Sequence, residues 1–124
     1  MVSDVPGELF RILSALKDTG VNLIVCCGFP VGQGRTQVDL VPEDEESFVK
    51  ATARLGLRLS ERKRAFLVQG EDRVGAQADV FAKLAGKEIN VTASQAVSAG
   101  AGRWGMILWV KPTDFERASR ALGL

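Results

Sequence analysis

The sequence contains no histidine, and its two cysteines, Cys26 and Cys27, are adjacent in the chain. Histidine is the commonest general base and the commonest metal ligand. Its absence therefore excludes serine–histidine and cysteine–histidine catalysis and histidine-based zinc sites. Adjacent cysteines in a strand point to opposite faces of the sheet and do not cross-link a fold. We expect two buried, reduced thiols in a cytoplasmic, non-enzymatic protein without a cofactor.

The sequence also lacks an excess of one charge and a long apolar run. Sixteen lysines and arginines stand against 15 aspartates and glutamates, for a formal net charge of +1. This balance gives no broad attraction to nucleic acid or to an anionic membrane. No stretch is long and apolar enough to span a bilayer, and the first residues resemble no signal peptide. We expect a globular protein with neither nucleic acid nor membrane as a partner.

What the sequence does contain is an internal repeat. Asp4-Val5-Pro6-Gly7 aligns with Asp72-Arg73-Val74-Gly75 at an offset of 68 residues. The same offset pairs further identical residues: Leu16 with Leu84, Asn22 with Asn90, Gly34 with Gly102, and Arg35 with Arg103. After one inserted residue, the segments 48–51 and 55–57 align with 115–118 and 122–124. A register shared along nearly the whole unit indicates a duplication, with unit 1 at residues 1–62 and unit 2 at 63–124.

Each copy predicts the same order of elements. A glycine turn precedes an amphipathic helix, marked by the stripe Leu9, Ile12, Leu13 and Leu16 in the first copy. A strand, a glycine-rich hairpin turn and a return strand follow. The predicted ranges are 21–27, 28–34 and 35–41 in unit 1, and 89–97, 98–102 and 103–110 in unit 2. A helix after proline ends each unit, at 43–55 and 113–122.

The segment between the copies, residues 57–70, predicts two short strands or one long bent strand. Its continuous apolar run, residues 65–68, predicts a central strand beside residues 106–110. Together these elements predict an α+β fold of the split βαβ, ferredoxin-like (βαββαβ) plan, repeated in tandem, with helices packed on one face of an antiparallel sheet. In this plan unit 1 has only Met1 and Val2 of its opening strand, and unit 2 lacks its closing strand.

The opening strand would be central, so its loss leaves a gap in the sheet of unit 1. A truncated gene start would account for the gap, or residues 57–70 or a second chain would fill it. We expect a homodimer.

An acidic residue followed by x-Pro-Gly, an amphipathic helix and a Gly-Val-Asn strand start resembles the ACT domain family. Unit 1 carries these motifs as Asp4-Val5-Pro6-Gly7 and Gly20-Val21-Asn22. Unit 2 lacks the proline of the first motif and the glycine before Asn90. The resemblance covers nearly the whole chain. It implies a regulatory module that binds an amino acid or a similar small metabolite and acts through a partner enzyme or regulator.

Six residues are candidates for the ligand site: Asp4, Gly7, Asn22, Asp72, Gly75 and Asn90. The turn before the first helix offers unpaired N–H groups and the positive end of the helix dipole to a carboxylate. Glycine lets a ligand approach the backbone, and an asparagine amide can both donate to a carboxylate and accept from an ammonium group. Together they would hold a zwitterion.

Structural roles compete with each of these assignments. The aspartates would cap helices, the glycines would serve the turns, and the asparagines would satisfy local backbone groups. Trp104 is a core residue or a pocket wall near the second hairpin. The segment 28–34 lacks the lysine of a phosphate loop and precedes a strand, so a hairpin fits it better. For the whole protein, the alternative function is a ligand-free interaction module whose sheet edge pairs with another protein.

Overall fold

The computed structural model describes all residues, 1–124, which form two compact units, Met1–Glu61 and Arg62–Leu124. Each unit has one three-stranded antiparallel sheet with two helices. The α+β, tandem ferredoxin-like prediction is confirmed. The longest helix, Glu8–Asp18, has 11 residues, and none of the helices could span a bilayer.

Unit 1 contains β1 (Val2–Ser3), α1 (Glu8–Asp18), β2 (Leu23–Gly32), β3 (Arg35–Pro42) and α2 (Glu45–Arg54). Its sheet has the order β1-β3-β2, with β3 in the centre. Helix α2 begins after Asp44, whose carboxylate accepts a hydrogen bond from the Glu46 N–H at 3.1 Å. The unit 1 core consists of Ile12, Leu16, Phe48 and Ala51, packed against partly buried residues of the strands and of the loops beside them.

Unit 2 repeats this plan with β4 (Phe66–Glu71), α3 (Ala76–Ala85), β5 (Val91–Gly100), β6 (Arg103–Val110), a 3-10 turn (Pro112–Asp114) and α4 (Phe115–Leu122). Its sheet order is β4-β6-β5. Both hairpins carry register shifts at the positions that the offset of 68 relates: Leu23/Val25 with Val91/Ala93, and Pro30/Gly32 with Ser98/Gly100. The duplication therefore extends to the details of the strand ladders.

The hairpin turns are shorter than the sequence predicts. Only Gln33-Gly34 and Ala101-Gly102 connect the strands, and all four residues have a positive φ, as a type I′ turn requires. The predicted turn at 28–34 was wrong because residues 28–32 continue β2. Pro30 is tolerated there since β2 lies at the edge of the sheet, where its missing N–H breaks no ladder.

The segment between the units also differs from its prediction. Residues 57–65 form no strand, and a strand begins only at Phe66. Strand β4 pairs with β6 as expected, with Phe66 opposite Leu108, but it lies at the edge of its sheet and not in the centre. The apolar run is half-buried because one face packs on the core while Leu67, on the other face, is 45% exposed.

The opening strand of unit 1 and the two cysteines also differ in part from their predictions. The position of the opening strand in unit 1 is occupied by Val2–Ser3, which pairs with Thr36 and Arg35 of β3. Neither cysteine forms a disulfide, and Cys27 is buried, but Cys26 is exposed. The expectation of two buried thiols was wrong for Cys26, which lies on the edge strand β2.

Candidate functional site

Asp4 ties the segment before α1 to the start of β3. Its backbone N–H donates to the Gly34 carbonyl at 2.8 Å, and its Oδ1 accepts from the Thr36 hydroxyl at 3.1 Å. It does not cap the helix, because the N-cap position is Gly7, with φ 87° and no side-chain hydrogen bond. The capping role considered for Asp4 was wrong, since the carboxylate is turned toward the strand.

Asp72 holds the equivalent place in unit 2. Its N–H donates to the Gly102 carbonyl at 2.8 Å, and its Oδ2 accepts from the Ser98 hydroxyl at 2.8 Å. The N-cap of α3 is Gly75, with φ 76° and no side-chain hydrogen bond. Both helices thus begin at a left-handed glycine, a conformation that residues with a Cβ adopt only with strain.

The two asparagines lie at the other end of each sheet. The Asn22 side-chain amide donates to Glu43 Oε2 at 2.7 Å, and the Asn22 backbone carbonyl accepts from the Glu43 N–H at 2.9 Å. Glu43 is seven residues beyond Thr36, the partner of Asp4, which corresponds to about 23 Å along an extended strand. Asn90, an exposed residue, likewise precedes the start of β5.

The structure therefore separates the candidate residues. In each unit the aspartate and the glycine share one end of the sheet, and the asparagine belongs to the opposite end. The reason is the topology of the sheet. Asn22 precedes the start of β2, which pairs with the end of β3, whereas Asp4 bonds to Thr36 at the start of β3. No zwitterion site combines all three residue types within one unit.

A cavity of about 230 Å³ lies beside Asp4 in unit 1. It is open to solvent on one side and smaller than the sites that hold drug-sized ligands. The lining residues come from β1, the start of α1, β2 and β3: Val2, Ser3, Asp4, Val5, Glu8, Leu9, Gly28, Phe29, Pro30 and Thr36. We call this the unit 1 cavity.

Two carboxylates and a helix start give the unit 1 cavity its charge pattern. The Arg11 guanidinium hydrogen-bonds both oxygens of Glu8, at 2.8 and 3.2 Å, and thereby lowers the pKa of that carboxyl. Glu8 is therefore ionised and fixed in position, and Asp4 adds a second carboxylate. The first-turn N–H groups of α1, which form the positive end of the helix dipole, lie in the same region.

This arrangement suits a small molecule with a positive amine, an acidic group and an apolar body. The Asp4 carboxylate can attract the amine, and the helix start favours the acidic group. Glu8 adds a second carboxylate beside it, although both of its oxygens already bond Arg11. The side chains of Val2, Leu9 and Pro30 supply apolar walls. Of these lining residues, only Asp4 was a ligand-site candidate from the sequence. Gly28 carried a signal, because a glycine inside a strand often marks a close approach, but it had been assigned to a turn.

Unit 2 contains a tryptophan where unit 1 has the wall residue Thr36. The offset of 68 relates Thr36 to Trp104, and the ladders agree, with Thr36 opposite Pro30 and Trp104 opposite Ser98. Trp104 is 6% exposed and belongs to the core of unit 2. A Cβ on Gly70 would lie 3.2 Å from its indole Nε1. That nitrogen has no hydrogen-bond partner.

The fold recurs in solved structures of other proteins. A protein of Bacteroides thetaiotaomicron has a TM-score of 0.84 at 13% identity, covering 98% of this chain and 81% of that one. A structure of aspartokinase alpha and beta subunits has a TM-score of 0.63 at 21% identity, covering 98% and 84%. The ligand-free regulatory subunit of aspartate kinase from Thermus thermophilus has a TM-score of 0.61 at 19% identity, covering 98% and 85%.

These identities are low, so the likeness concerns the fold. The chain shares with these proteins a tandem ferredoxin-like fold. No protein-family model matches the chain, and no curated protein matches its sequence.

Proposed function

We propose that this protein is a non-catalytic regulatory module of the ACT type that binds an amino acid or a similarly small amine in the unit 1 cavity. The observation that carries the proposal is the 230 Å³ cavity with Asp4 and Glu8 beside the start of α1. The fold shared with a regulatory subunit of aspartate kinase supports a regulatory role.

The side-chain chemistry supports a non-catalytic role. The chain has no histidine to serve as a general base. Desolvation raises the pKa of the Cys26 thiol, and desolvation together with the Asp39 carboxylate and Cys26 raises that of Cys27. A raised pKa leaves less of the reactive thiolate. Neither cysteine is therefore an activated nucleophile.

A module of this kind acts through another protein, and we propose a cytoplasmic partner enzyme or regulator as its target. We also propose that the chain is a homodimer, since both sheets end in strands with an unpaired edge. Light scattering of the purified protein should give twice the chain mass of 13.3 kDa. A mass of 13.3 kDa at micromolar concentration would contradict the dimer but not the ligand site.

The ligand proposal is tested by a thermal-shift screen of the common amino acids and small amines, followed by calorimetry. A ligand at a hundredfold excess over its Kd stabilises the folded state by about 2.7 kcal/mol, which raises the Tm by several degrees. Asp4→Asn should weaken binding roughly tenfold or more, because a hydrogen bond to a charged group contributes about 1.5–3 kcal/mol.

Asp72→Asn is the matched control, because it removes the equivalent carboxylate from unit 2, where no lining residue of the unit 1 cavity is changed. Its affinity should equal that of the wild type. The proposal is wrong if no compound raises the Tm, or if the two variants lose affinity equally.

The exposed edge of β4 favours a second candidate function, a ligand-free interaction module. Six residues of this strand, Phe66–Glu71, have one edge unpaired, and Leu67 is 45% exposed. Such an edge can accept a strand from another protein. A stoichiometric protein partner that is lost in Leu67→Lys, together with the absence of any metabolite response, would favour this alternative.

A further inference from the structure

We propose that the Trp104 indole permanently fills unit 2's counterpart of the unit 1 cavity, so that each chain binds one small amine, in unit 1 alone. The inference rests on the proposed function of the unit 1 cavity and adds its stoichiometry and the residues that set it.

The first step is the equivalence of the two positions. Strands β2 and β5 have the same length, pair with their neighbours in the same register and carry shifts at the same places. Thr36 and Trp104 therefore project from equivalent points of the central strands. Val2, which lines the unit 1 cavity, has Gly70 as its counterpart.

The second step is the volume that the indole occupies. Its Nε1, Cε2 and Cζ2 atoms lie 3.2, 3.4 and 3.4 Å from the position that a Cβ of Gly70 would take. The ring thus covers Gly70, the counterpart of a cavity wall. A valine at position 70 would overlap the ring. Unit 1 has a valine, Val2, at the equivalent position, where the facing residue is Thr36 with its short side chain. The two pairs, Val2 with Thr36 and Gly70 with Trp104, are matched alternatives: one leaves a cavity and the other fills it.

The third step is charge. The counterpart of Glu8 in unit 2 is Ala76, which is 7% exposed and part of the core. Asp72 accepts from Ser98 with its Oδ2, and neither of its oxygens bonds the indole. The buried Nε1–H consequently has no partner, which is unfavourable. Burial of the large apolar ring offsets this cost. Unit 2 thus lacks both the space and the second carboxylate for an amine.

The test exchanges the matched pairs between the units. Thr36→Trp combined with Val2→Gly should fill the unit 1 cavity, and Trp104→Thr combined with Gly70→Val should open its counterpart in unit 2. Proton–nitrogen NMR reports on the indoles without any ligand, because each tryptophan gives one indole N–H signal and the wild type has two tryptophans. The introduced indole at position 36 should exchange its proton as slowly as Trp104 does.

Calorimetry with L-valine, whose amine, carboxylate and apolar body match the unit 1 cavity, supplies the second measurement. The wild type should bind one molecule per chain, the filled variant none. The opened variant should keep the single site of unit 1, and adding Ala76→Glu should give it a second site. Circular dichroism shows whether each variant folds.

The outcomes separate the two proposals. Two molecules of L-valine per wild-type chain would overturn the role of Trp104 and leave the ligand site intact. Absence of binding by every amino acid and amine in the screen would overturn the ligand site. A fast-exchanging introduced indole at position 36, in a folded variant, would overturn the equivalence of the two volumes whatever the protein binds.

Discussion

Gly70 is the residue on which the packing of Trp104 depends. A methyl group there would lie 3.2 Å from the indole Nε1, closer than ordinary van der Waals contact. The indole is enclosed by the unit 2 core and has little room to retreat. Gly70→Ala should therefore destabilise the protein by roughly 1–3 kcal/mol, the usual cost of overpacking a core. Urea unfolding followed by tryptophan fluorescence measures this loss.

Gly105→Ala is the control, because a Cβ at that position meets nothing within 4 Å. It lies on the same sheet, in β6, and alanine should cost nothing there or stabilise the strand slightly, since glycine has more freedom to lose on folding. Equal destabilisation by both alanines would show that the loss comes from the strand backbone and not from the indole.

At the scale of single residues, the sequence predicted which positions of the two units are equivalent, but not the hydrogen-bond partners of their side chains. The repeated Asp-x-x-Gly pattern correctly marked equivalent positions in the two units. It did not show that the carboxylate of Asp4 turns to Thr36, because that partner is 32 residues away in the chain and is reached only through the hairpin. Glu8 and Thr36 carried no motif of their own, and the signal of Gly28 was assigned to a turn, so the cavity they line was not predicted.

Among the elements, α2 depends on a titrating cap. Asp44 accepts from the Ser47 hydroxyl at 2.8 Å and from the Glu46 N–H at 3.1 Å. The Ser47 hydrogen bond is the main cause that lowers the pKa of Asp44, with smaller contributions from the backbone N–H groups and Lys50, against an opposing effect of desolvation. The ionised form is thus favoured in the folded state.

The sign of the pH dependence follows from this lowered pKa. A carboxyl that is more acidic in the folded than in the unfolded state contributes its full stabilisation of the folded state when the pH is above its ordinary pKa of 3.8. This stabilisation is lost as the pH falls through the lowered pKa of the folded state. Asp44→Ala should lower stability at neutral pH, and its difference from the wild type should shrink below that value. Urea unfolding between neutral pH and pH 3 measures this difference.

The matched variant is Asp44→Asn, which keeps a capping acceptor without a titrating group. It should lose less stability than Asp44→Ala at neutral pH. A difference between wild type and Asp44→Ala that stays constant across the acidic range would rule out the charge as the source of the stabilisation.

The elements were predicted in type and order, and their ends were less accurate. Hydrophobic periodicity placed the helices and return strands because those residues pack on a core. The hairpin turn of unit 1 was drawn too long because Gly28, Pro30 and Gly32 are typical of turns. In the structure an edge strand tolerates the proline, and a register shift accommodates Gly32. Edge position depends on the whole sheet and has no local signal.

For the whole molecule, duplication has produced two units with unequal cores. The unit 2 cluster has ten buried residues, including Leu84 and Leu108 at 0% exposure, whereas the unit 1 cluster has four. Unit 1 also has an opening strand of only two residues, while β4 has six. The sequence predicted the shortened strand from the phase of the repeat. It did not predict the unequal cores. These arise because Trp104 fills space in unit 2 that stays open in unit 1.

This asymmetry predicts an order of stability. Buried apolar area is the main source of folding stability, so unit 2 should need more free energy to open than unit 1. Hydrogen–deuterium exchange should therefore be faster for the amides of β2 and β3 than for those of β5 and β6. A ligand that binds the unit 1 cavity should slow exchange in unit 1, because binding stabilises the folded form of its own site. Unit 2 should gain less protection. If unit 1 is the better protected unit without a ligand, the size of the buried cluster does not set the order of stability, and the short β1 must be stabilised by contacts outside its own sheet.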